Sequence, residues 1–431
     1  MAIEKPLTLP CGATLKNRLA KAAMTEGLGD ALNQATERHR TLYKQWAEGG
    51  AGLLITGNVM VDRRYLERPG NVAIDGPQSN EQLSRLSAWA ADATANETHV
   101  WMQLSHAGRQ SPKIVASAPV GPSAVRVDLP GGQFATPRAL NGAEIEDVIG
   151  RFAHAARVAK DTGFSGVQVH AAHGYLISEF LNPITNQRTD DWGGSLEGRA
   201  RLLLQTVAAV RDAVGPAFPV SVKLNSSDFQ KGGFSFDECL QVVKWLSAKD
   251  IDLLEISGGS YEQPKMMGLE GMEPAFEQGL SESTKAREAY FITYAEKVAD
   301  VTETPLMVTG GFRSRTAMDD AIASGAADII GIGRPTCVDP DIPAQLLARD
   351  IEAAPSWEKE LALGPGFLGQ GSKISLIKAL NGFGSMAFFY KNLFRLADGR
   401  PAKRRMALGP AFLSHQAAEA RAARALRGRS S

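Results

Sequence analysis

The residues best suited to chemistry lie in one stretch, 168–188, which reads QVHAAHGYLISEFLNPITNQR. Its two imidazoles, His170 and His173, can donate hydrogen bonds to an oxygen atom. Tyr175 follows closely and keeps its phenol proton at neutral pH, because the unperturbed pKa of tyrosine is about 10. Such a set of side chains can polarise a carbonyl group and deliver a proton beside it.

Two other interpretations of the histidine pair stay open at this point. Closely spaced histidines also bind zinc, although no H-E-x-x-H or Cys-x-x-Cys motif supplies the further ligands that a zinc site requires. Histidines also serve as hydrogen-bonded structural residues. The histidine pair alone does not decide between these roles, and the surrounding elements favour catalysis without a metal.

Composition narrows the class of protein. The 431 residues include 47 basic and 47 acidic side chains, so no overall field attracts nucleic acid. No apolar run reaches the roughly 18–20 residues of a membrane span, and the N-terminus lacks a signal-peptide core. Three cysteines, far apart in the sequence, indicate neither a disulfide framework nor an iron–sulfur motif. We therefore expect a soluble protein that stays in the cytoplasm.

One pattern repeats along the chain: a short apolar run, a polar loop and an amphipathic helix. Asn141 with Glu144 predicts one capped helix, and Ser195 predicts another that ends at Gly215. Runs that are apolar on both faces favour a parallel (β/α)₈ TIM barrel over a doubly wound sheet, which would carry G-x-G-x-x-G after its first strand. The eight predicted strands are Leu19–Met24, Gly52–Thr56, Val100–Leu104, Gly166–His170, Val220–Leu224, Asp252–Ile256, Leu306–Thr309 and Asp328–Ile332.

Three segments lie outside this repeat. Residues Leu7–Lys16 alternate around a Pro-Cys-Gly turn and predict an N-terminal hairpin. The long loop Ser105–Asn141, rich in glycine and proline, predicts an ordered lid over the barrel mouth. A second rim excursion, 258–283, contains Tyr261, Met266 and Met267, for which contact with a substrate stays open. For the two methionines, filling of irregular gaps is the favoured interpretation.

The periodic pattern stops near residue 350. We therefore divide the chain into a barrel domain, residues 1–350, and a helical, basic C-terminal extension, residues 351–431. From Lys391 onward the extension has ten Lys or Arg against two acidic residues. We expect it to dock on the barrel or to join subunits in a homo-oligomer, and contact with an anionic membrane surface is the alternative.

In a TIM barrel the chemistry lies at the C-terminal ends of the strands. The last two strands end in Thr309-Gly310-Gly311 and Gly331-Ile332-Gly333-Arg334, where barrels frequently bind phosphate. Two ordinary βα turns beside a surface arginine are the alternative. The other strand ends contribute Thr25, Gly57, Gln103, His106, His170, His173, Tyr175, Lys223, Asn225 and Ser257.

Five motifs together resemble the Old Yellow Enzyme family of FMN-dependent NAD(P)H oxidoreductases, the ene-reductases, over about residues 7–347. They are NRLAKAAMT at 17–25, GGAGLLITG at 49–57, QLSHAGRQ at 103–110, HAAHGYL at 170–176 and NQRTDDWGGSLEGR at 186–199.

The resemblance implies tightly bound, non-covalent FMN, with NAD(P)H as a dissociable reductant. It implies that the Thr25 hydroxyl lies near flavin O4 and that Gln103 bonds the pyrimidine edge. Lys223 stands where the best-known members have arginine, so it supplies a point charge in place of a fork. The implied cofactor-binding residues are Ala23, Met24, Thr25, Gly57, Gln103, Lys223, Gly310, Gly311, Gly333 and Arg334.

The resemblance also implies the reaction. His170 and His173 would hold the carbonyl or nitro oxygen of an activated alkene, hydride would pass from flavin N5 to the β-carbon, and Tyr175 would protonate the α-carbon. Two alternatives differ in class. One is a flavin-free lyase or aldolase in which Lys223 forms a Schiff base. The other is a flavin-binding protein without activity whose extension docks a partner.

Overall fold

The computed structural model describes residues 2–129, 132–259 and 291–427. Its strands, in chain order, are β1 Leu7–Thr8, β2 Thr14–Leu15, β3 Leu19–Lys21, β4 Leu53–Ile55, β5 Val59–Met60, β6 His99–Ser105, β7 Val120–Gly121, β8 Arg138–Ala139, β9 Gly166–Ala171, β10 Val220–Asn225, β11 Leu253–Ser257, β12 Leu306–Thr309 and β13 Ile329–Ile332.

Eight of these strands form a closed parallel barrel. The order around it is β3, β4, β6, β9, β10, β11, β12 and β13, and β13 pairs with β3 to close the ring. The predicted (β/α)₈ TIM barrel is therefore confirmed. The first strand ends at Lys21, earlier than predicted, so that Ala23, Met24 and Thr25 follow the strand.

Helices alternate with the barrel strands and surround them. The two predicted helix starts are present: Asn141 forms a capping box with Glu144, and the Ser195 side chain accepts from the Gly198 N–H. The described helices are α1 Glu37–Glu48, α2 Asn80–Ala93, α3 Gly142–Asp161, α4 Leu176–Leu181, α5 Leu196–Val214, α6 Phe236–Ser247, α7 Ile292–Ala299, α8 Arg315–Ala323, α9 Ile342–Ala348, α10 Ser375–Ala397 and α11 Leu408–Arg427.

Each barrel strand has one face toward the helices and one toward the barrel interior. In β9, Val167, Val169 and Ala171 belong to the apolar core between strands and helices. Because side chains alternate along a strand, Gln168 and His170 face the interior. A strand buried on both sides can therefore carry polar residues toward the barrel axis.

The barrel interior changes from apolar to polar along its axis. Toward the N-terminal ends it is filled by Leu53, Ile55, Trp101, Leu253, Met307 and Ile329, capped by Leu9 and Leu15 of the β1–β2 hairpin. Gly166 makes room for this layer, since a Cβ atom there would lie 2.5 Å from the Trp101 indole. Toward the C-terminal ends the interior residues are polar: Gln103, Gln168, Lys223 and Glu255.

The lid loop is tied to the barrel over its described residues. Its strands β7 and β8 pair with each other, and Pro112 bridges Phe134. The Arg188 guanidinium donates to the carbonyl oxygens of Pro122 at 3.0 Å and Leu140 at 2.6 Å. The loop therefore has a defined conformation beside the barrel mouth.

The C-terminal segment packs on the barrel's helical layer. Helix α10 contacts α1, where Arg38 Nε lies 2.8 Å from Asp398 Oδ1 and Gln45 Nε2 donates to the Leu396 carbonyl at 2.9 Å. Earlier in the segment, Ala353 forms an isolated antiparallel β-bridge with Ser314, so the chain also runs alongside the start of α8. Among the helices of the described residues, none is both long and apolar enough to cross a membrane.

Candidate active site

Strand β9 brings the three predicted catalytic residues into contact. The ring centroids of His170 and Tyr175 are 4.8 Å apart, and those of His170 and His173 are 5.2 Å apart. His170 Nδ1 is buried and has no hydrogen-bond partner among the described residues. His173 Nε2 lies 2.7 Å from Ser257 Oγ. The cluster thus offers polar ring atoms at the end of one strand.

The backbone of His173 is held in an unusual conformation. Its φ angle is +63°, a left-handed value that costs a non-glycine residue about 1–3 kcal/mol. The His173 N–H donates to Asn225 Oδ1 at 3.1 Å, and its carbonyl oxygen accepts from Gln110 Nε2 at 3.0 Å. Neighbouring elements therefore hold the turn that aims this imidazole.

Both imidazoles are neutral near pH 7. Burial lowers the pKa of His170 and of His173 well below the usual 6.5, and the positive charge of Lys223 lowers both further. A neutral imidazole donates one N–H without giving up its proton. The pair is therefore suited to holding an oxygen atom, and Tyr175 beside it is the group with a proton to give.

Half-exposed residues line the ends of three neighbouring strands, β12, β13 and β3. Gly310 and Gly311 after β12 have φ angles of +118° and +88°, values that favour glycine. The strand bodies are buried, so exposure is confined to their C-terminal ends. The lining residues are Ala23, Met24, Thr25, Thr309, Gly310, Gly311, Gly333 and Arg334.

Gly57 lies behind this lining. Its N–H donates to Glu26 Oε1 at 3.0 Å, and a Cβ atom on Gly57 would lie 2.4 Å from the Met24 carbonyl oxygen. Thr25 Oγ1 accepts from Asn58 Nδ2 at 3.3 Å. The glycine therefore supports the lining segment from the neighbouring strand, and its contact with a cofactor stays a prediction.

Lys223 is part of a buried ion pair. Its Nζ atom lies 2.8 Å from Glu255 Oε1, and the two side chains are 4% and 0% exposed. An ammonium group in such a pair lacks the free electron pair that Schiff-base formation needs. This contact argues against the aldolase alternative.

Arg334 shares an acidic partner with a second arginine. Glu358 Oε1 lies 2.6 Å from Arg313 Nη2 and 3.6 Å from Arg334 Nη2. Glu358 belongs to the C-terminal extension, so the extension reaches the turns at which phosphate binding was predicted. Sequence analysis did not identify this residue, because nothing local connects position 358 to these turns.

Sequence analysis also missed Gln168 and Glu255 as members of the site. The available signal was a polar residue at an inward position of an otherwise apolar strand, as in Leu-Leu-Glu-Ile-Ser. His106, in contrast, packs against Tyr65 with ring centroids 5.4 Å apart, and burial lowers its pKa to about 4. The rim residues Tyr261, Met266 and Met267 lie outside the described residues.

Comparisons with known proteins agree with this geometry. The model of the NADH:flavin oxidoreductase / NADH oxidase family matches residues 3–350. The NADH-dependent flavin oxidoreductase iliE of Hypocrea jecorina (strain QM6a) is 39% identical over 358 residues, covering 79% of this chain and 88% of that protein. Its namesake from Neonectria sp. (strain DH2) is 37% identical, and this chain spans only 46% of that longer relative.

A solved structure is also similar. The old yellow enzyme homologue from Zymomonas mobilis superposes with a TM-score of 0.66 at 27% identity, covering 82% of this chain and 94% of that one. Polar chemistry gathered at the C-terminal mouth of a parallel barrel is the arrangement of a TIM-barrel enzyme. Among such enzymes, the chain belongs to the NADH:flavin oxidoreductase / NADH oxidase family, that of Old Yellow Enzyme. The expected family is confirmed, and membership implies a flavin cofactor with NAD(P)H as reductant.

Proposed function

We propose that this chain is an FMN-dependent NAD(P)H oxidoreductase that reduces the activated C=C bonds of enones, enals and nitroalkenes. The observation that carries the proposal is the contact of His170, His173 and Tyr175 at the end of β9. Two neutral hydrogen-bond donors beside a phenol match the needs of a substrate that has a polar oxygen conjugated to a carbon to be protonated.

The residues that line these strand ends suit FMN. Gly310 and Gly311 leave the turn after β12 without side chains, and Arg334 supplies a guanidinium at the adjacent turn after β13. The Thr25 hydroxyl and Gln103 would meet the polar edges of the ring, and Lys223 supplies positive charge nearby. When bound, FMN supplies the two-electron chemistry, accepting hydride from NAD(P)H and passing it to the alkene.

The residues of the chain supply orientation and a proton. His170 and His173 donate hydrogen bonds to the substrate oxygen, which withdraws electron density and leaves the β-carbon electrophilic. Tyr175 transfers its phenolic proton to the α-carbon as the new C–H bond forms at the β-carbon. Because both imidazoles are neutral, they hold the oxygen without competing with Tyr175 as acids.

The test separates the two half-reactions by stopped flow. In Tyr175→Phe we expect reoxidation of the reduced protein by 2-cyclohexenone to slow by about 10²–10⁴-fold, the contribution of a general acid. Reduction of the bound flavin by NADH or NADPH should change little, because it requires no proton from this residue.

The matched control is Tyr294→Phe, which removes a phenol from helix α7 in the outer layer. It should leave both half-reactions unchanged. Equal loss in both half-reactions of Tyr175→Phe would contradict the proton-donor role, and purified protein that stays colourless with added FMN would exclude the function.

A further inference from the structure

Four buried polar side chains form a continuous chain across the barrel interior. They come from four consecutive barrel strands: Gln103 on β6, Gln168 on β9, Lys223 on β10 and Glu255 on β11. All four residues are buried. The proposed function uses the two end members, Gln103 and Lys223, and leaves the two middle ones without a role.

The hydrogen bonds of this chain all point toward Glu255, because each glutamine donates to the next residue. Gln103 Nε2 donates to Gln168 Oε1 at 2.7 Å, and Gln168 Nε2 donates to Glu255 Oε2 at 2.9 Å. The other carboxylate oxygen of Glu255, Oε1, lies 2.8 Å from Lys223 Nζ. The Glu255 carboxylate therefore accepts the last hydrogen bond of the chain and also forms an ion pair with Lys223.

The charge of Glu255 determines the direction of this chain. A carboxylate can only accept hydrogen bonds, so Gln168 must turn its NH₂ group toward Glu255 and its carbonyl toward Gln103. Gln103 must then turn its own NH₂ group toward Gln168. No described residue donates a hydrogen bond to its Oε1 atom, which can therefore accept from another partner.

Lys223 is coupled to the catalytic cluster as well. In the barrel register it lies directly opposite His170 on one side and Glu255 on the other. Burial is the main cause of the lowered pKa values of His170 and His173, and the positive charge of Lys223 lowers both further. Glu255 therefore offsets the positive charge of Lys223, which acts on the two histidines at the barrel mouth.

We propose that Glu255 is a positioning residue of the flavin site. It compensates the charge of Lys223, and its hydrogen bond with Gln168 orients Gln103 so that Gln103 presents a hydrogen-bond acceptor. This inference rests on the proposed function, because it assigns to Gln103 and Lys223 the edge of a bound flavin. The acceptor matches an N–H group of the flavin pyrimidine ring. The compensated lysine limits how strongly the site favours the reduced, anionic flavin over the oxidised one.

The experiment compares Glu255→Gln with the wild-type holoprotein. A neutral amide no longer compensates Lys223, so reduced FMN should gain affinity relative to oxidised FMN by at least about tenfold. For a two-electron couple a tenfold change corresponds to roughly 30 mV, measured as a higher midpoint potential against a reference dye. A midpoint potential equal to that of the wild type would overturn the inference.

A second variant tests the hydrogen-bond chain without disturbing the ion pair. Gln168→Leu keeps the contact of Lys223 with Glu255 but releases Gln103, so FMN affinity should fall by about tenfold in both redox states, with little change in potential. Wild-type affinity in this variant would overturn the relay, even if Glu255→Gln proved unable to fold.

The control is Asp252→Asn. Asp252 lies just before the same strand β11, is buried and pairs with Arg211 at 2.7 Å at the opposite end of the barrel. This variant should lose stability and keep the wild-type potential. If the wild-type chain itself binds no FMN, the proposed function fails; if it binds FMN and reduces enones while Glu255→Gln keeps the wild-type potential, only the inference fails.

Discussion

His170 and His173 are held in different ways, and the difference has consequences for substrate binding. The ring of His173 contacts Ser257 through Nε2, and the backbone N–H and carbonyl of His173 are both hydrogen-bonded. The protein therefore fixes the position of His173 before substrate binds. His170 is positioned by ring contacts with His173 and Tyr175, and its Nδ1 atom lacks a partner among the described residues. We expect His170 to gain the new hydrogen bond when substrate binds.

The depressed pKa values of both histidines predict a flat pH dependence of substrate binding. A base with its pKa well below 6.5 takes up a proton only at a pH far below neutrality, so both imidazoles keep one N–H donor from about pH 6 to pH 8. The KM for 2-cyclohexenone should therefore change by less than about twofold over this range. A transition in KM centred near pH 6.5 would show that one of them titrates there.

At the scale of elements, the candidate site residues lie at the strand ends, whereas the helices pack on the strands to form the apolar core. The β12 turn illustrates this division, because Gly310 and Gly311 adopt positive φ angles just before α8, and Ser314 caps that helix by accepting from Ala317. The turn is short, and a side chain in it would strain the backbone and cover part of the lining described above.

Two glycines near the same helix allow these effects to be separated. Gly310→Ala and Gly325→Ala each place alanine at a positive φ, +118° and +75°, at a cost of about 1–3 kcal/mol. Of the two, only Gly310 belongs to the lining of the strand ends, whereas Gly325 follows α8 and faces open space. Both variants should melt at lower temperature, but only Gly310→Ala should bind FMN at least about tenfold more weakly. Equal FMN affinities, measured by flavin fluorescence, would argue against a phosphate-binding turn.

At the scale of the whole molecule, the C-terminal extension is integrated with the barrel. Arg68 lies 4.2 Å from the ring centroid of Tyr390, and His415 stacks on the same ring at 4.8 Å. Glu358 joins the extension to Arg313 and Arg334. The extension therefore contacts both the helical layer and the proposed cofactor end of the barrel.

Two leucines of the extension test whether this packing stabilises the fold. Leu393 is 2% exposed and belongs to the main core, whereas Leu413 is 69% exposed. Leu393→Ala should cost about 2–5 kcal/mol, and Leu413→Ala should stay within about 0.5 kcal/mol of the wild type. Urea unfolding followed by tryptophan fluorescence measures both. If Leu393→Ala unfolded at the wild-type urea concentration, the extension would not contribute to the stability of the barrel.

Local sequence patterns were enough for the barrel, its order of elements and the strand-end candidates. Strand β12 has the predicted bounds, and Ser195 and Gly215 flank α5 as predicted, because capping and alternation depend on residues close in the chain. The histidine–tyrosine cluster could be predicted for the same reason, since one strand and its turn carry all three side chains.

Only the tertiary structure decided which distant residues meet. Gln168 and Glu255 are 87 positions apart, and their hydrogen bond depends on the register of strands around a closed barrel. The left-handed conformation of His173 depends on Asn225 at the end of β10 and on Gln110 of the lid loop. Alternation along a strand determines which way a side chain points, but the closed ring determines which partner it finds there.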